Sequence, residues 1–139
     1  MSQDESALIQ LAVNGTLMRG LALNQNLTNV GATFVREAET DAYYRLWSIN
    51  DVHPAMLRDL AGGNHIQLEI WALSPQALTT VLQQEPPGLC IGRLKLSDGS
   101  EVLGVLGEPF LCQGQTEITH FGGWRAYTLA VGIDEKDAA

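Results

Sequence analysis

Cysteine is nearly absent from this chain of 139 residues, and the two present, Cys90 and Cys112, have neither C-x-x-C spacing nor a histidine-rich neighbourhood. Both are read as reduced, buried small hydrophobes, the usual role of cysteine in a cytosolic chain. Lysine is equally scarce: Lys95 and Lys136 are the only two, and the formal net charge is -8. Binding a phosphate backbone needs clustered cations, which speaks against a nucleic-acid partner. No apolar run approaches the roughly 18 residues of a membrane span. The opening Met1-Ser2-Gln3-Asp4-Glu5 is acidic where a secretion signal is basic, so a cytoplasmic protein with no membrane partner is expected.

Catalytic signatures are missing too. The chain contains no G-x-S-x-G elbow, no phosphate-binding lysine loop, no H-E-x-x-H and no dinucleotide fingerprint. His53, His65 and His120 stand apart at no ligand spacing, so neither a metal nor any other cofactor is expected.

What is present is an ordinary globular composition, 45% hydrophobic and 17% charged, and enough length to bury one core. A single domain over residues 7–131 is expected, with 1–6 and 132–139 as flexible termini. Ala7 to Val13 reads as a buried strand ended by Asn14-Gly15. Leu23, Leu27, Val30 and Phe34 recur at helical spacing, against Gly31 and three asparagines. Tyr43 to Ile49 and Ile66 to Leu73 read as strands, separated by a loop containing Pro54. Ser74 caps a helix with Pro75 at its first position; Leu78, Val81 and Leu82 form its buried face, and it stops before Pro86-Pro87. Leu94 and Leu96 alternate with Arg93 and Lys95 ahead of a two-residue Asp98-Gly99 turn, a hairpin signal. Trp124 to Val131 reads as a last strand, with Trp124 and Ala126 on one face and Arg125 and Tyr127 on the other. The sum is a mixed, barrel-like α+β domain with one or two short helices.

Four groups of residues stand out chemically. Asn14-Gly15-Thr16-Leu17 is either a plain strand-ending turn or a backbone cradle for an anion, with Arg19 adding a charge-assisted contact. Glu85, beside Leu82 and Leu89 and stiffened by Pro86-Pro87, is either a solvated helix-end carboxylate or an acid/base with a raised pKa. His120, among glycine and aromatic residues, reads as a structural hydrogen-bonding group or a binding one. Arg125 and Tyr127 face either a pocket or a surface neighbour.

The segments "LALNQNLTNVGATFVREA", "EIWALSP", "GLCIGRLKLSDGSEVLGVLGEP" and "TEITHFGGWRAY" together resemble the C-terminal domain of allophanate hydrolase, from about Leu8 to Ala130. That resemblance implies the gamma-glutamylcyclotransferase-like fold, a small mixed barrel with a cavity at one end. In the cyclotransferase branch a Y-G-(S/T)-L loop binds the substrate's carboxylate end, and Asn14-Gly15-Thr16-Leu17 looks like that loop with asparagine for tyrosine. The same branch carries its acid/base glutamate in a pattern similar to L-x-x-L-x-x-x-E, which Leu78, Val81 and Glu85 match. Two features depart from the pattern. Ile91 stands where the cyclotransferases have a tyrosine, and Thr16-Leu17 where the allophanate branch tends to carry a histidine. The amidase half, with its Ser-Ser-Lys machinery, is absent.

The resemblance implies a stand-alone domain that binds or processes a small carboxylated amide or carbamate, of the kind met in urea degradation. Glu85 would be catalytic, and Asn14, Gly15, Thr16, Leu17, Arg19, His120, Arg125 and Tyr127 would bind substrate. Two alternatives stand beside it. One is a cyclotransferase-like enzyme releasing 5-oxoproline. The other is a non-catalytic module, a homodimer or a partner of a separate amidase or carboxylase.

Overall fold

A computed structural model of the chain describes residues 7–134. Strand β1 (Ile9–Val13) lies at the centre of a five-stranded sheet, and its last three residues are fully buried. It pairs antiparallel with β5 (Gln67–Leu73) and parallel with β7 (Glu101–Gly107). A strand covered on both faces reads as a continuous apolar run, as Leu11-Ala12-Val13 does. The sheet edges are β2 (Thr33–Glu39) and β6 (Leu89–Lys95). A second sheet holds β3 (Tyr44–Ile49) between β4 (His53–Arg58) and the two-residue β8 (Thr116–Glu117). The two sheets share one core, in which Leu11, Tyr44, Leu46, Met56, Ile70 and Trp124 are fully buried or nearly so. The α+β class stands, but the sheets do not close into a barrel.

Three α-helices occur among the described residues: α1 (Gln25–Thr28), α2 (Pro75–Gln84) and α3 (Trp124–Val131). The Leu23-to-Phe34 spacing yields only the single turn of α1, which buries Leu27, and Phe34 falls in β2 instead. In α2 the Ser74 hydroxyl accepts from the Ala77 N–H at 3.1 Å and Pro75 opens the helix. Its buried side is Ala77 and Val81, with Leu78 half-buried; Leu82 is 37% exposed, against expectation.

Two corrections concern local structure. Trp124 to Val131 is a helix, not a strand. Its buried residues, Trp124, Tyr127 and Thr128, recur at three and four positions, the helical period. Aromatic and β-branched composition imitated a strand there. The β6–β7 hairpin is present, but its loop has three residues, Ser97-Asp98-Gly99, closed by the Leu96 N–H donating to Ser100 O at 2.8 Å. Gly99 takes φ +88°, the left-handed residue that follows a type I turn in such loops. Strand β4 is a further departure from the loop expected around Pro54. Proline is tolerated there because β4 is an edge strand, where a missing N–H breaks no ladder.

Candidate functional site

Strand β1 ends by delivering Asn14 into the core, where it is 4% exposed. Its amide Nδ2 donates to the Val105 carbonyl at 3.0 Å and to Met56 Sδ at 3.9 Å. The asparagine is thus a strut tying the loop to β7 and β4. The next three carbonyls are all occupied: Gly15 O accepts from Met18 N–H at 3.0 Å, Thr16 O from Leu23 N–H at 2.9 Å, and Leu17 O from Asn24 Nδ2 at 2.8 Å. The N–H groups of Gly15, Thr16 and Leu17 have no acceptor among the described residues, although all three residues are buried. Unpaired buried N–H groups are rare in folded proteins, and consecutive ones form an anion-binding concavity. Gly15 is required here by space: the Cβ of any other residue would stand 2.5 Å from Pro54 Cδ.

Glu85 closes α2 at its C-cap and lines the same cleft as Asn14, Gly15, Thr16 and Leu17. No hydrogen bond or ion pair from the described residues reaches its carboxylate, and burial alone lifts its pKa from the ordinary 4.5 to about 7. Desolvation with no compensating partner disfavours the charged form. Val13, His53, Pro54, Leu89 and Val105 complete the lining. The cavity volume is about 20 Å³, room for one water-sized group, so only the tip of a ligand fits inside and the rest of it lies at the mouth.

The remaining expected site residues lie elsewhere. Glu69, 2% exposed, is held by four donors: Arg19 N–H at 3.0 Å, Arg19 Nε at 3.1 Å, Trp71 Nε1 at 3.1 Å and Arg125 Nη2 at 3.3 Å. Arg19 also reaches Glu37 at 2.8 Å and covers the Phe34 ring at 3.7 Å. Tyr127 Oη donates to Asp51 Oδ1 at 2.6 Å, which also binds the Ser48 hydroxyl. His120 is exposed, its ring 4.4 Å from that of Phe121. So Asn14 to Leu17 and Glu85 share one cleft, whereas Arg19, His120, Arg125 and Tyr127 do not line it.

A larger cavity of about 380 Å³ is lined by Glu37, Glu39, His65, Glu69 and Arg125, among others. Size does not make it the better site. Its one buried carboxylate, Glu69, is already neutralised by two guanidinium groups, whereas the small cleft holds the uncommitted donors and acceptors. His53, 8% exposed, is the cleft residue the sequence did not single out. A His-Pro pair between two strands carries no local signal of what it will face. Cys90 and Cys112 are free and half-buried, and burial raises both thiol pKa values. The described residues contain no group of three or more His, Cys, Asp or Glu able to hold a metal, and no helix long and apolar enough to cross a membrane.

Known proteins place this architecture. The model of the allophanate hydrolase C-terminal domain matches residues 9–129. A uropathogenic E. coli-specific protein of known crystal structure is 59% identical and superposes with a TM-score of 0.86, over 87% of this chain and 95% of that one. Urea amidolyase of Saccharomyces cerevisiae is 29% identical over 131 residues, which make up 89% of this chain but only 7% of that protein. A gamma-glutamyl cyclotransferase, 14% identical, shares the fold at a TM-score of 0.50 over 72% of this chain and 66% of its own. The chain belongs to the allophanate hydrolase C-terminal domain family.

Proposed function

We propose that the cleft between the Asn14–Leu17 loop and Glu85 binds the head group of a small carboxylated amide or carbamate, and that Glu85 moves a proton on it. One observation carries the reading: the residues that bear three unpaired N–H groups and the unpartnered Glu85 carboxyl, whose pKa burial raises to about 7, line one cleft. N–H groups fixed before the ligand arrives stabilise a developing negative oxygen without reorganisation. A carboxyl that titrates near neutrality can both accept and release a proton. The urea-degradation context is carried over from the relationship to urea amidolyase. The small volume admits only the tip of a ligand, which disfavours a buried γ-glutamyl chain and so release of 5-oxoproline.

The experiment is turnover of allophanate by the wild type and Glu85→Gln, with folding checked by circular dichroism. Loss of about 10²- to 10⁴-fold is expected for a general acid/base. A folded variant with full turnover removes the role.

A second reading, an accessory module for a separate amidase or carboxylase, is favoured by a different feature. An apolar groove runs along α3 past Leu21 and Ile133, and Leu129 on it is 77% exposed. Copurification with such an enzyme, lost in Leu129→Glu, would support it over catalysis.

A further inference from the structure

His53 lies at the start of β4 and lines the cleft, yet it is 8% exposed and makes one hydrogen bond, from Nδ1 to the Pro54 carbonyl at 3.0 Å. A carbonyl oxygen only accepts, so Nδ1 carries the proton, and in the tautomer with its single proton there Nε2 is left as an acceptor. No donor among the described residues meets Nε2. A buried polar atom without a partner costs free energy that folding alone does not explain. The residues that line the cleft therefore include three with unpaired N–H groups, Gly15, Thr16 and Leu17, and two with an uncommitted acceptor, His53 and Glu85.

From this arrangement we infer that His53 is a specificity-determining residue, whose Nε2 accepts an N–H from the bound head group. The group that enters is then the amide or urea end of the ligand, not its carboxylate end. An amide puts its carbonyl oxygen on the N–H cradle and its own N–H on His53. A carboxylate of the same size satisfies the cradle but gives Nε2 no proton, and it meets Glu85 as a like charge whenever that group is ionised. The inference rests on the cleft being the binding site, and it adds which end of the ligand is recognised and by what.

Acetamide and acetate form an isosteric pair that separates the two claims, and both can be titrated by NMR. With wild type, acetamide should move the Gly15, Thr16 and Leu17 amide resonances and the His53 Nε2 resonance. Acetate should bind more weakly and leave Nε2 in place. His53→Phe should weaken acetamide about tenfold, with acetate changed less than twofold. His53→Gln, which keeps an acceptor oxygen, should retain the preference. If acetamide moves the cradle amides but not Nε2, or if His53→Phe weakens both probes equally, the role of His53 is refuted and the cleft survives. If neither probe moves the cradle amides, the site itself is refuted and His53 with it.

Discussion

Gly15 and Pro54 touch so closely that a Cβ on residue 15 would stand 2.5 Å from the proline Cδ and 2.6 Å from its Cγ. The proline ring is rigid, so an added methyl must push β4 away from the loop. Gly15→Ala is expected to cost about 1–3 kcal/mol, the range for overpacking a core. Thermal unfolding checks this. Adding Pro54→Ala should return much of the loss, because the two residues share one contact.

The buried Glu69 should dominate local stability around the larger cavity. Replacing it with Gln removes the charge that Arg19 and Arg125 face, at 3.1 and 3.3 Å. Breaking a fully buried pair costs roughly 3–5 kcal/mol. Both arginine side chains are 45% exposed, so water screens part of the loss and about 2 kcal/mol is expected. Urea denaturation should report it as a lower midpoint at unchanged slope.

Tyr127 ties α3 to the β3–β4 turn through Asp51, whose pKa is held below its ordinary 3.8 by the Ser48 and Tyr127 hydroxyls. A depressed carboxylate stabilises above its unfolded pKa, and that contribution is lost as pH falls through the folded value. Tyr127→Phe should cost about 1 kcal/mol at pH 7, modest because Asp51 is exposed. The difference from wild type should shrink as pH drops below 3.8, measured by melting at a series of pH values.

How much of this was legible in the sequence depended on whether local chemistry agreed with the tertiary result. Ser74-Pro75 predicts α2 because capping and a preset φ act within three residues. Trp124 to Val131 misleads, because its apolar residues fit a buried strand until their three- and four-residue spacing is counted. The pairing of the Asn14 loop with Glu85 came from resemblance to a family. No local rule brings residues 14 and 85 to one cleft. Arg19, Arg125 and Tyr127 looked available for a ligand because their partners Glu69 and Asp51 are 50 to 76 residues distant in sequence. His53 gave no signal at all. Its significance is created by burial, not by neighbours in the chain.

Glu85 should make stability depend on pH in the opposite sense to Asp51. Its folded pKa of about 7 lies above the ordinary 4.5, so stability is greatest below 4.5 and falls as pH rises through 7. Glu85→Gln should leave stability unchanged at pH 4 and raise it at pH 8, by up to about 3 kcal/mol. Equal effects at both pH values would show that the carboxyl is solvated.

The measurement that bears most directly on the central claim is an NMR titration of the wild-type protein with malonamate, a stable carboxylated amide. Saturable movement of the Gly15, Thr16 and Leu17 amide resonances is expected, together with displacement of the Glu85 carboxyl titration from its midpoint near 7. Movement confined to the larger cavity, around Glu39, His65 and Arg125, or a Glu85 midpoint near 4.5 with silent cradle amides, would contradict it.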